Sequence, residues 1–304
     1  MSAAAGARQR WVDTLLAWYF VSVWGSGYLA TKVGLQYAPP FTFLSLRYLF
    51  GLACLAPALL LLRPKWPHSP ALLGHVIVAG LLMHAVQLGG SHYAQYFGVS
   101  AGIVALIFCT QPLLTALIAS RWLQEVLVPR QWAGVAIGLG GVALVVWHKI
   151  DVHALTLGSL LALAVGVAGI TAGTLYQRVF CPRVDLNAAA FVQFAASLVV
   201  LAPLAWGVEG AKIVWAWQLF AAIGFLVVFA SIFAVNVLHT LMRHGQATKV
   251  TSLLYLPPIF AVALEFLMFD VVPSALSAFG IAVTCLGVAL VAWQTRRAPA
   301  PPAE

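Results

Sequence analysis

Apolar stretches of about 20 residues, the length a helix needs to cross the hydrocarbon core of a bilayer, follow one another along this chain with short polar breaks. They fall near 13–31, 41–62, 72–92, 101–121, 131–148, 157–177, 189–207, 216–237, 249–268 and 274–294, which predicts ten membrane-spanning helices. No break is long enough to hold a soluble domain. The chain reads as an all-α integral membrane protein.

The stretches come in two sets of five, because the second half repeats the first at an offset of 146 residues. Leu55-Ala56-Pro57 recurs as Leu201-Ala202-Pro203, and Pro112 as Pro258. Gly134 to Trp147 recurs as Gly280 to Trp293 with 8 of 14 positions identical. The repeats are placed at 13–148 and 157–294, with tails at 1–12 and 295–304. An odd number of crossings per unit inserts the second copy upside down, so a pseudo-two-fold axis lies in the membrane plane. That arrangement recurs in secondary transporters, where substrate sits near the midplane between the halves.

Composition agrees with the pattern: 62% of residues are apolar and 8% charged, against roughly 25% charged in soluble domains. The net charge of +8 is a topology signal rather than a nucleic-acid footprint. With the N-terminus in the cytoplasm, Arg8, Arg10, Arg63, Lys65, Arg121, Arg130, Arg178, Arg183, Arg243, Lys249, Arg296 and Arg297 lie inside. Lys32, Lys149 and Lys212 lie outside, and Arg47 falls within a span. The excess of inside cations places both termini in the cytoplasm. Cys54, Cys109, Cys181 and Cys285 lack metal or redox spacing and read as free thiols. The N-terminal apolar run is read as a retained first helix, not a cleaved signal.

Several segments carry a family resemblance: WGSGYLATKVGL followed by PPFTFLSLRY, then QPLLTAL and GVAIGLGGVALVV, and in the second half KVTSLLYLPPIFAVAL and GIAVTCLGVALVAW. In order, spacing and duplication they resemble the two EamA domains of the drug/metabolite transporter superfamily, over roughly 15–147 and 157–293. The resemblance implies ten helices around a central cavity and export of amino acids or similar small metabolites across a bacterial inner membrane. One departure is Gln124-Glu125, where the family has Gly-Glu between the fourth and fifth spans; in the second half Asp270 is out of register by one.

Polar groups at lipid depth are expensive unless they face a cavity or a partner, so they mark the pathway. His84, Gln87, Ser91 and Gln95 form one helical stripe on the third span, either lining the cavity or bonding between helices. Asn236, His239 and Thr240 cluster on the eighth span, and Thr171, Thr174, Tyr176, Gln177 and Arg178 on the sixth. Trp24, Tyr28 and Thr31 share a face of the first span, with Gly25 and Gly27 among them for close packing or local unwinding. Arg47 either snorkels to the outer interface or pairs inside the cavity. Glu265, the one carboxylate well inside a span, is a candidate for proton coupling, for neutralising a neighbour such as Arg47, or for reaching the outer interface. Pro112, Pro257 and Pro258 interrupt equivalent spans and are candidate bends. The substrate-binding candidates are Trp24, Tyr28, Arg47, His84, Gln87, Gln111, Tyr176, Asn236 and Tyr255.

Rival classes have less support. Bis-histidine haem ligation would draw on His84, His92 and His239, without a CxxCH motif. No paired catalytic carboxylates, His-Glu metal motif, nucleophile elbow or phosphate loop is present, so neither an enzyme nor a direct ATPase is indicated and no cofactor or metal is assigned. The expected partners are a small-molecule metabolite or amino acid, the lipid bilayer and protons, with the chain a monomer or homodimer. An exchanger of phosphorylated metabolites, using Lys32, Arg47 and Lys249, stays open as an alternative.

Overall fold

The computed structural model describes residues 3–124, 127–151, 155–234, 237 and 256–292, and among these every regular element is a helix. In chain order they are α1 (Ala3–Gly34), α2 (Pro40–Leu62), α3 (Pro70–Tyr96), α4 (Ala101–Trp122) and α5 (Pro129–Asp151). The second half supplies α6 (Leu157–Phe180), α7 (Leu186–Glu209), α8 (Trp217–Phe233), α9 (Pro257–Phe269) and α10 (Ala275–Ala292). Six, α2 to α7, are long and apolar enough to cross a membrane; α8, α9 and the stretch Ala275–Val291 of α10 are shorter apolar helices. The 32 residues of α1 include Gly25, Ser26, Gly27 and Tyr28, which dilute its apolar character. The described part of the expected ninth span begins at Leu256, and 249–255 lie outside the described residues.

Local sequence sets the boundaries. Side-chain oxygens of Ser69, Ser100, Thr156 and Asp185 accept from the first backbone N–H groups of α3, α4, α6 and α7, which satisfies donors a helix start leaves free. Gly98 turns the chain between α3 and α4 at φ 95°, a left-handed conformation that a Cβ disfavours. The α4 ladder breaks at Cys109–Thr110, just before Pro112, because proline has no N–H to offer the preceding turn. In the second repeat, α9 starts after Leu256, the counterpart of Thr110. The Pro112 position is therefore a break, as the sequence suggests, whereas the residues that precede Leu256 lie outside the described residues.

Packing follows the repeat. Helix α1 packs against α8 and α9, and its counterpart α6 packs against α3 and α4, the same pairs shifted by one repeat. Two further pairs join a helix to its own counterpart: α2 with α7, and α5 with α10. Both run antiparallel. In the α5–α10 seam, Gly134 meets Gly287 and Gly141 meets Gly280 so closely that a Cβ on any of them would collide with the facing backbone or side chain. The counterpart of Gly134 is Gly280 and that of Gly141 is Gly287, so the two contacts exchange under the repeat. An axis perpendicular to both helices produces that exchange. Along α2 and α7 the axis passes by Tyr48 and Phe194, themselves counterparts, whose rings lie 5.2 Å apart.

The outer surface suits lipid. Leu60, Leu61, Val199 and Leu267 are exposed along helices, while Trp11, Trp66, Trp122 and Trp132 crowd one end of the bundle and Trp147, Trp206, Trp215 and Trp217 the other. Tryptophan belts at both ends mark the two interfaces. We call these the Asp13 end and the Lys32 end, after residues of α1. All four cysteines are free, as expected, and Cys181 is buried against Val76 and Ala189. Burial pushes its thiol pKa up. Cys181 should therefore react with maleimide more slowly than an exposed loop cysteine, and as fast once detergent unfolds the protein.

Candidate functional site

The site is built on a local irregularity repeated in both halves. Helix α3 widens into a π-helix over Leu81–Val86, and α8 does so over Phe225–Phe233. Shifted by 146, residues 81–86 become 227–232, inside the second stretch. π-turns within α-helices disturb the backbone ladder and frequently mark functional sites. Here the ladder reaches back five residues, with Gln87 N–H donating to the Leu82 carbonyl and Ala234 N–H to that of Phe229. The Ser231 hydroxyl likewise donates to the Leu226 carbonyl at 2.9 Å.

Repeat counterparts reach into the two π-turns. Arg47 on α2 donates from Nη2 to Ser231 Oγ at 3.3 Å. Its counterpart Gln193 on α7 lies 3.3 Å, Oε1 to Nε2, from His84 in the π-turn of α3. Gln193 then donates to Gln177 Oε1 at 3.2 Å. Between these two arms Tyr48 donates its hydroxyl to the His84 carbonyl at 3.0 Å. The His84 ring meets Phe194 edge-on at 5.1 Å. One arm is thus cationic and the other is a neutral chain of two amides and an imidazole, with an aromatic pair on the axis.

Arg47 does not snorkel toward the nearer interface. It lies seven residues into α2, whereas Ser231 lies fourteen residues into α8, and both helices start at the Lys32 end. At 1.5 Å per residue Ser231 is about 10 Å deeper, so the guanidinium points inward. Of the stripe on α3, His84 and Gln87 are half-buried, and the Gln87 side chain has no protein hydrogen bond among the described residues. Ser91 and Gln95, the outer half of the expected stripe, are buried, and the Gln95 amide has no hydrogen-bond partner among the described residues.

The remaining expectations divide. Tyr28 is half-buried between α1, α4 and α9, and Trp24 is partly exposed on the same helix, 5.1 Å from Phe20. Gly25 serves packing, since a Cβ there would press on Phe260 and the Pro257 carbonyl. Gln111 donates to Thr115 at 3.1 Å and to Thr174 at 3.2 Å, tying α4 to α6. Tyr176 lies toward the Asp13 end, its hydroxyl 2.7 Å from His75 Nδ1 and its ring against Phe180. Tyr176→Phe should lower stability by about 1 kcal/mol, measured as a modest fall in detergent melting temperature. Asn236, Tyr255, His239, Thr240 and Lys249 lie outside the described residues.

Sequence reasoning missed Gln193, Ser231, Tyr48 and His75. The available signal for Gln193 was its place as the repeat counterpart of Arg47. Glu265 does not neutralise Arg47. It pairs with Lys32 at 2.6 Å and accepts from Ala101 and Gly102 N–H at 3.0 Å each, closing the first turn of α4. Glu209, at the end of α7, does the same for α2, accepting from Phe41 N–H, Thr42 N–H and the Thr42 hydroxyl at 2.7–2.9 Å. Two carboxylates of the second repeat thus clasp helix starts of the first, both at the Lys32 end. Their counterparts toward the Asp13 end are Arg63 and Ala119, so the repeat supplies no equivalent clasp there among the described residues.

The model of the EamA-like transporter family matches twice, over residues 14–147 and 156–293. The uncharacterized inner membrane transporter YedA of Escherichia coli K12 is 31% identical over 244 residues, covering 80% of this chain and 78% of that protein. The uncharacterized transporter YvbV of Bacillus subtilis is 28% identical, covering 82% and 81%. A probable amino-acid metabolite efflux pump of E. coli K12 is 31% identical over 153 residues, half of this chain and 49% of its own length. A crystal structure aligns with a TM-score of 0.60 at 20% identity over 93% of this chain and 97% of its own, a likeness of fold.

Proposed function

This chain belongs to the EamA-like transporter family, and from that membership we propose a secondary transporter of the bacterial inner membrane that exports amino acids or similar small metabolites by alternating access. The observation that carries the reading is the pair of equivalent π-turns, each met by a polar counterpart side chain beside the axis between the repeats. A ligand held there touches both halves, and exchange of their conformations moves its access from one side to the other. Membership as a transporter, rather than any catalytic constellation, also argues against an enzyme.

In this proposal ten spans form two inverted units, 13–148 and 157–294, with both tails cytoplasmic. The antiparallel α2–α7 and α5–α10 pairs support the inversion, and the cation bias supports the orientation. The Lys32 end is then outward, and the clasps of Glu209 and Glu265 favour a state closed on that side. Protonation of Glu265 would break its pair with Lys32, which makes outward opening and proton uptake one event. Trp24, Tyr28, Arg47, His84 and Gln87 form the substrate group; Gln111 and Tyr176 support it through interhelical bonds.

The test is efflux from proteoliposomes loaded with a panel of amino acids and phosphorylated metabolites, with and without a pH gradient. Export of amino acids faster than protein-free vesicles supports the proposal. Movement of none of the panel overturns it, and preference for phosphorylated solutes selects the exchanger reading.

A further inference from the structure

Arg47 is permanently charged and offers five N–H donors in a planar fork, yet among the described residues it has one hydrogen bond, to a hydroxyl, and no ion pair. A charge at membrane depth is costly without a partner. The chain has 8 carboxylates, and none of the described ones is placed to serve. Asp13, Asp151, Asp185 and Asp270 sit at or beyond the ends of the expected spans; Glu125 and Glu304 lie outside the described residues. Glu209 and Glu265 hold the starts of α2 and α4. Lys32 is occupied by Glu265, so Arg47 is also the lone described cation facing inward at this depth.

We infer that the Arg47–Ser231 arm is a subsite for the carboxylate of a monoanionic or zwitterionic solute, and that the site rejects organic cations. The inference rests on the transporter reading. A carboxylate matches the guanidinium fork with two parallel hydrogen bonds, and the Ser231 hydroxyl lies beside the same fork. One cation balances one negative charge, which disfavours doubly charged phosphates. The opposite arm of His84, Gln193 and Gln177 has no negative charge to receive a quaternary or polyvalent amine. Of that arm His84 and Gln177 are half-buried and offer ring and amide polar atoms to a neutral or singly protonated polar group, while the buried Tyr48–Phe194 pair separates the two arms. The solute therefore lies across the axis in one orientation, carboxylate toward α8.

Matched probes test this: phenylalanine, threonine and glutamine, their carboxamides, and their decarboxylated amines, each assayed for transport in proteoliposomes and for thermal stabilisation of the purified protein. Wild type should favour at least one acid over its amide and amine by at least tenfold. Arg47→Gln should lose that preference, and Arg47→Lys should keep part of it. Equal handling of acid and amide by wild type, or an unchanged preference in Arg47→Gln, overturns the inference while leaving the transporter intact. If no solute moves in any vesicle the transporter reading falls, and the stabilisation assay still decides the subsite. Should Arg47→Gln fail to fold, the acid–amide comparison in wild type and in Arg47→Lys decides it.

Discussion

Glu265→Ala should cost 3–5 kcal/mol of stability, as removing one partner of a buried ion pair does at about this magnitude. The carboxylate is 3% exposed and Lys32 26%, so the lysine left behind is largely shielded from water. Its Nζ lies over the Phe269 ring, 4.4 Å from the ring centre, a contact too weak to replace the lost charge. The substitution also frees the N–H groups of Ala101 and Gly102 at the start of α4, a helix whose first turns are wholly buried. Loss of folded protein in detergent, followed by melting or size exclusion, is the measurement. Lys32→Met combined with Glu265→Met should recover part of the loss, because an apolar pair leaves no stranded charge. Glu265→Gln separates structure from coupling: if gradient-driven transport is unchanged in that variant, Glu265 is not the proton carrier.

Gly287→Leu should be as damaging, through volume rather than charge. A Cβ at 287 already meets the Gly138 backbone and the Gly134 carbonyl. A leucine side chain would force α5 and α10 apart along their most intimate contact; overpacking typically costs about 1–3 kcal/mol and more where backbone must move. Gly140→Leu on α5 is the control, since nothing lies within reach of a Cβ there. Expression and melting temperature should drop sharply for the first and hardly for the second. Equal behaviour of the two would mean that the seam is looser than the close approach implies.

The helix order, the break before Pro112 and the antiparallel counterparts were legible because each leaves a mark in composition or in the repeat. Arg47 and His84 stood out as polar residues in apolar runs. The π-turns left no such mark: LLMHAV and FLVVFASIF read as ordinary helix, since a wider turn needs no special residue. Partners distant in sequence were equally hidden. Lys32 and Glu265 are 233 positions apart, and periodicity cannot choose between Lys32 and Arg47 as the mate of a buried glutamate. Gln193 was overlooked because one amide in a long apolar run resembles a packing residue until its neighbour across the bundle is known.

The contact between Tyr48 and Phe194 has an implication for ancestry. Were the two five-helix units separate, identical chains inserted in opposite orientations, one residue would meet its own copy at this point. Position 47 would then appear twice, as two arginines or as none. A solitary cation beside the axis requires that the copies be free to diverge, as joining them in a single chain allows. Fusion would thus have given the pathway a head and a tail, where a pair of identical chains could read a solute equally well in either direction.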